Sequence, residues 1–184
     1  MDRDDQTIRR ILTVNHAGEH GAIWIYSAQI ASLRGRFPEL RAWLECTRGH
    51  EMEHRAAFRR SMALHGAKPC CTMSLWSRGG WLLGWSCALF GPLGVLACTA
   101  AVERTVHRHL DEQIRFLSDR DPVLAGLIRD IQGEELEHLA FAEAGLVQTS
   151  LITKVLGWLV AAGTEALIFL STRGDSGRLK RAFG

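Results

Sequence analysis

Scarcity narrows the reading of these 184 residues first. None of the five cysteines, Cys46, Cys70, Cys71, Cys87 and Cys98, forms a C-x-x-C pair, and one thiol is left over after any pairing. That excludes a disulfide framework and a thiolate metal site, and fits a reducing compartment. A formal charge of +2, from 22 basic and 20 acidic residues, removes the electrostatic case for nucleic acid as partner. The opening MDRDDQTIRR has no apolar core of a secretory signal, and its acids argue against a transit peptide. With that start taken as natural, the chain is expected in the cytoplasm or on its face of a membrane. No segment alternates polar and apolar residues over a useful length, so little or no sheet is expected.

What is present looks globular: 47% hydrophobic and 23% charged residues, with six tryptophans leaning towards an apolar surface. One domain over residues 1–184 is the default for this length. Ile8, Ile11, Leu12, Glu19, Ile23, Tyr26, Ile30 and Leu33 recur at helical steps within 7–34, a first helix. Pro38 opens a second through Leu44, Glu51, His54 and Phe58, closed by Gly66 and Pro69. A third pattern inside 81–118 carries Glu103, Leu110 and Ile114, and Asp121-Pro122 starts a fourth through Glu135, His138 and Phe141 to about Leu146. The tail, about 151–171, reads as a fifth, strongly apolar helix.

These helices form an internal repeat, about 7–66 and 81–146. Glu51 follows Glu19 by 32 positions, and Glu135 follows Glu103 by the same offset. Each second glutamate is followed three residues on by histidine, His54 or His138, and the whole set recurs 84 positions later. Residues at i and i+3 lie on one helix face about 5 to 6 Å apart, so each Glu-x-x-His can offer an oxygen and a nitrogen to one ion. A single such motif is common on a solvated helix face. Two copies in register, each preceded by a glutamate among small or apolar neighbours, form the ligand inventory of ferritin-like di-iron and di-manganese bundles.

Four carboxylates and two neutral imidazoles balance two divalent cations, which lets the cluster sit in a low-dielectric core. Hard oxygens mixed with imidazole suit iron or manganese, and the lack of thiolates disfavours structural zinc. By analogy with that architecture, Glu51 and Glu135 are expected to bridge, and Glu19 and Glu103 to be terminal. Glu53, Glu134 and Glu137 fall off the inward face and are expected in solvent or in salt bridges. His16, one turn before Glu19, is either a partner of a ligand or a polar residue near the helix surface. His20, His50, His65 and His107 read as surface residues, and His109 is off the stripe of Glu103. Tyr26, the only tyrosine, is either a core residue or part of the site wall.

From Gly79 to Val102 no residue is charged, a stretch long enough for a membrane span. Gly80, Gly84, Gly91, Pro92 and Gly94 interrupt it, and a span would strand Glu103 across the bilayer from Glu51 and His54. An apolar hairpin or helix-top lying in the membrane interface is expected instead, with Trp76, Trp81 and Trp85 at headgroup depth. For the tail, with Trp158 and its basic end, lipid contact and ordinary core burial both stay open. Helical rise puts the metal site within about 15 to 20 Å of the middle of the stretch. A small residue one or two turns before Glu103, such as Ala97, is expected on the path of a substrate to that site.

The motif NHAGEHGA at 15–22, continued by IYSAQ, together with GHEMEH at 49–54, ACTAAVERT at 97–105 and QGEELEHLAFAEAG at 132–145, resembles the demethoxyubiquinone hydroxylases, the Coq7 (Cat5) family. The resemblance covers nearly the whole chain. It implies a ferritin-like four-helix bundle with Glu19, Glu51, His54, Glu103, Glu135 and His138 holding two iron ions. It also implies O2-dependent hydroxylation of a 3-demethoxyubiquinol-type polyprenyl quinol in ubiquinone biosynthesis. The implied setting is peripheral, on the cytoplasmic face of a bacterial inner membrane or the matrix side of the mitochondrial one, with lipid and a ubiquinone-biosynthesis complex as partners. One departure is His109-Leu110, where animal members carry a histidine–tyrosine pair. The rival readings are another ferritin-like protein, reducing peroxide or storing iron, and a non-catalytic quinone-binding membrane protein.

Overall fold

The computed structural model describes residues 3–146 and 150–183. Among them are seven helices and no strand: α1 (Arg3–Leu33), α2 (Pro38–His65), α3 (Met73–Ala88), α4 (Gly91–Leu117), α5 (Pro122–Gly145), α6 (Leu151–Ser171) and α7 (Asp175–Phe183). Local chemistry sets the boundaries. Pro38 occupies the first turn of α2, where its missing N–H costs nothing. Gly66 ends that helix in the left-handed region and donates its N–H to the Met62 carbonyl. The Asp121 carboxylate accepts the Leu124 N–H at 3.0 Å to start α5. Ser150 and Thr153 cap each other's backbone at the start of α6.

Helices α1, α2, α4 and α5 enclose three layers. Ile11, Leu12, Phe58, Met62, Leu117 and Ile128 fill one end with hydrocarbon. Leu33, Leu44 and Val95, with the ring of Tyr26, fill the other. Between them the apolar stripes are interrupted at the same level on all four helices by Glu19, Glu51, His54, Glu103, Glu135 and His138, each at most 7% exposed.

The long uncharged stretch is divided between two helices: the chain turns at Leu89–Phe90, so it forms a hairpin, and α4 then carries Glu103 into the bundle. The glycines explain how α3 reaches α1. A Cβ at Gly84 would lie 2.2 Å from the Ile25 carbonyl oxygen, and one at Gly80 would lie 2.5 Å from that of Gly21. Backbone therefore packs on backbone along this seam. Because of that approach, Trp76 is buried over Gly21 and not at headgroup depth, a correction to the expectation, whereas Trp81 and Trp85 are exposed at 41% and 46%.

Helix α6 lies along α4 but buries only Thr153, Val160 and Ile168 among its residues. Core burial therefore does not account for its composition. Leu151, Val155, Trp158, Leu159, Phe169 and Leu170 are exposed, and α6 alone among the described helices is long and apolar enough to cross a membrane. Helix α7 was not legible in the sequence: it is short and strongly charged, and is held partly by Asp175, which binds Arg10 at 2.7 Å.

The seam makes a stability prediction. Gly84→Ala should push α3 from α1 at an overpacking cost of about 1–3 kcal/mol. Gly79→Ala, whose Cβ meets nothing within 4 Å, should leave stability unchanged or raised. Equal denaturation midpoints for the two variants would refute the close approach.

Candidate metal centre

The buried polar layer brings all six predicted residues together in two overlapping groups. Glu19, Glu51, His54 and Glu135 offer donor atoms within 4.8 Å of one another, as do Glu51, Glu103, Glu135 and His138. Glu51 and Glu135 belong to both groups, the position a bridging carboxylate would need. Glu135 lies between the imidazoles, its Oε1 at 3.0 Å from His54 Nδ1 and its Oε2 at 3.1 Å from His138 Nδ1. The same two nitrogens stand 3.9 and 3.6 Å from the oxygens of Glu51. Both imidazoles thus turn Nδ1 inward.

Their outward nitrogens are also engaged. His54 Nε2 lies 3.0 Å from Glu134 Oε2, and His138 Nε2 lies 3.0 Å from His50 Nδ1, the two rings stacked at 5.3 Å. A proton on Nε2 donated outward leaves the Nδ1 lone pair free for a cation and fixes the ring plane. His50, expected on the surface, instead supports a ligand candidate, since residues 50 and 54 are one turn apart. Glu134, expected in solvent or a salt bridge, reaches across to α2 because it directly precedes Glu135.

Tyr26 forms part of the site wall: its hydroxyl donates to Glu103 Oε1 at 2.8 Å. Trp43 packs edge-on against both Tyr26 and His138 with ring centres 6.5 Å away. His16 Nδ1 makes no hydrogen bond to these carboxylates. His109 is buried, lines the cavity that reaches this layer and bonds Glu165 at 2.8 Å, and His65 pairs with Asp121 at 2.6 Å.

Packing this charge into hydrocarbon strains its ionisation. Burial, then the charge of Glu135, raises the Glu19 carboxyl to about 7. Burial followed by neighbouring carboxylates holds Glu51 and Glu103 well above the usual range. For Glu135 burial acts upward too, but the His138 and His54 hydrogen bonds outweigh it and bring it to about 2. Burial likewise lowers His54, yet its bond to Glu135 and the surrounding carboxylates lift it to about 9. A layer that must hold protons to stay neutral is one that cations would relieve. Glu51 Oε1, buried without a hydrogen-bond partner, adds a lone pair that a cation could take. The donor set therefore fits metal.

A cavity of about 490 Å³ leads to this layer. Glu19, Glu51, Glu103 and Glu135 lie at its inner end, and residues of α1, α3, α4 and α6, among them Ile25, Leu83, Val102, Val160 and Leu167, form its apolar wall. Leu110 is part of that wall. Ala97, expected on the path to the site, does not line this cavity but a separate groove among α4, α5 and α6.

Two helix hairpins enclosing paired Glu and Glu-x-x-His sets make this a ferritin-like carboxylate bundle. Residues 6–171 match the family described as "Ubiquinone biosynthesis protein COQ7". The chain is 35% identical to the NADPH-dependent 3-demethoxyubiquinone 3-hydroxylase, mitochondrial, of Mus musculus over 90% of its own length and 77% of the relative's. It is 34% identical to the 3-demethoxyubiquinol 3-hydroxylase of Rhodospirillum rubrum, covering 90% and 78% of the two chains. The protein belongs to the COQ7 family.

The ionisation pattern predicts how the metal-free protein responds to pH. A raised carboxyl keeps its proton when folded and loses it when unfolded, so Glu19 loses stabilising effect between pH 4.5 and about 7. His54 contributes fully below 6.5 and loses its contribution as pH rises through about 9. His16, lowered to about 4 first by burial and then by Arg55 and Arg59, acts in the opposite direction, but only below 6.5. Between 6.5 and 9 the denaturation midpoint of metal-free protein should therefore fall. Anaerobic ferrous iron should oppose that fall, because ligand binding releases protons. A flat metal-free profile would contradict this ionisation pattern.

Proposed function

We propose that this protein hydroxylates the ring of a 3-demethoxyubiquinol-type quinol, a 2-polyprenyl-3-methyl-6-methoxy-1,4-benzoquinol, using O2 and a pair of iron ions. The observation that carries the reading is the apolar cavity that ends on the buried carboxylates. An iron-storage protein needs a hydrophilic route for ions, and a passive quinone carrier has no use for four converging glutamates.

In this reading Glu51 and Glu135, common to both groups, would hold both irons, with Glu19 and His54 completing one site and Glu103 and His138 the other. Iron held there would supply the O2 chemistry, one oxygen atom going to the ring and the other to water, with two electrons and two protons from an external reductant. The chain's own residues position and protect that chemistry. Tyr26 holds Glu103 through its hydroxyl, and Glu134 and His50 hold the two imidazoles in the tautomer that ligation needs. The walls from α3 and α6 orient the ring towards Glu19 and Glu103 and keep bulk water from the reacting carbon.

The same two helices present Trp81, Leu82, Trp85, Trp158 and Leu159 outward. A polyprenyl tail is too apolar to cross water at a useful rate, so a cavity between lipid-facing helices lets it stay in the bilayer. Peripheral attachment through α3 and α6 follows, on the cytoplasmic face of a bacterial inner membrane or on the matrix side of a mitochondrial one.

Two experiments test the reading. Gly163 lines the cavity with open space beyond its Cα, so Gly163→Phe should fill the channel without displacing backbone. Turnover should fall about tenfold or more with about two irons retained, whereas Glu135→Gln should lose iron and turnover together. Full activity of the Gly163→Phe variant on vesicles, by product mass with labelled O2, would move the substrate to another route. Replacing Trp81 and Trp85 by Glu should release the protein from vesicles in flotation with iron content unchanged. Flotation equal to wild type would remove α3 from the membrane contact.

A further inference from the structure

A second concavity, of about 580 Å³, lies on the other side of α1, between α1, α2 and the approach to α3. Its walls carry His16 and His20, one turn apart on α1, facing Arg55 and Arg59, one turn apart on α2. Neither arginine has an acidic partner among the described residues, in contrast to Arg104 with Glu143 and Arg108 with Glu165. His16 is only 3% exposed, and Nδ1 of His16 and of His20 is buried without a hydrogen-bond partner. Glu19 and Glu51 line the inner cavity on the opposite side, so they leave this positive charge unbalanced.

Unpaired guanidinium groups and idle imidazoles converging on one cavity are a receptor for an anion. From this geometry we infer that the groove of His16, His20, Arg55 and Arg59 binds the phosphate group of an organic phosphate ester. Two guanidinium forks a turn apart match the oxygen geometry of phosphate, and an imidazole supplies a further donor. The cavity is larger than a bare phosphate, and Met52, Pro69 and Met73 give the remainder an apolar wall suited to the organic part. Its rim continues through His20, in edge contact with Trp24, to Trp24 against the exposed Trp81, each pair with ring centres 6.3 Å apart. A lipid headgroup and a soluble phosphate ester could each present this chemistry there.

Titration of the metal-loaded full chain with inorganic phosphate tests the site by calorimetry. Saturable binding is expected, weakened about tenfold or more in the Arg55→Met, Arg59→Met double variant, since each charge-assisted bond is worth at least that. The Arg36→Met, Arg129→Met control removes the same charge from positions elsewhere on the chain and should bind as wild type. Ala56→Glu places an acid in the groove from an exposed position and should abolish binding even if the double variant folds poorly. Weaker flotation of the double variant on phosphatidylcholine–phosphatidylglycerol vesicles, with phosphate competing, would identify a lipid headgroup. Unchanged flotation, with NADPH displacing phosphate, would identify a soluble ester. Equal or non-saturating phosphate binding across wild type, both groove variants and the control would overturn the site.

Discussion

Burying four carboxylates and two imidazoles in one layer of a hydrocarbon core is the constraint on which the rest of this structure depends. Left alone, the glutamates would repel one another across a medium that screens poorly, and each must hold a proton, find a cation or find a donor. The protein answers with all three. Glu135 is held low by two imidazoles, Glu103 receives the Tyr26 hydroxyl, and Glu19 and Glu51 are pushed by burial towards the protonated form, a push that a cation would relieve. The apolar ends of the bundle supply the stabilisation that lets this layer persist, with Phe58, Leu12 and Leu117 at one end and Leu33 and Leu44 at the other fully packed.

The glycines of α3 serve the same layer at a distance. Because Gly80 and Gly84 let backbone rest on backbone, α3 lies close enough to α1 to form a wall of the cavity. A side chain at either position would force the helices apart, widening the route to the carboxylates and admitting water. The apolar surface of α3 and α6 then has two faces with different tasks. Inward it lines the apolar cavity, and outward it leaves tryptophans and leucines exposed. On the far side of α1, the unbalanced charge of Arg55 and Arg59 gives the same helix a polar counterpart to that surface.

Much of this was legible in the residues. The helical stripes, their stops at Gly66 and Asp121-Pro122, and the paired Glu and Glu-x-x-His sets follow from periodicity and spacing alone, because they are properties of single helices or of a repeat along the chain. The hairpin within 79–102 was also accessible, since a span would have separated Glu103 from its partners. What failed was whatever depended on approach between helices. Trp76 looked like an interfacial residue because nothing in its neighbours reveals that Gly21 will lie beneath it, and Ala97 looked like a gate because one turn on a helix does not say which neighbour it meets.

The sequence by itself thus determined which residues share a face and which chemistry they carry, since helical periodicity is local. Only the tertiary structure decided that Glu51 and Glu135 belong to both candidate groups, and that His50 and Glu134 meet the imidazoles from opposite helices. It also decided that the cavity opens between α3 and α6, because these facts depend on the rotation and separation of packed helices, which side chains far apart in the chain set together.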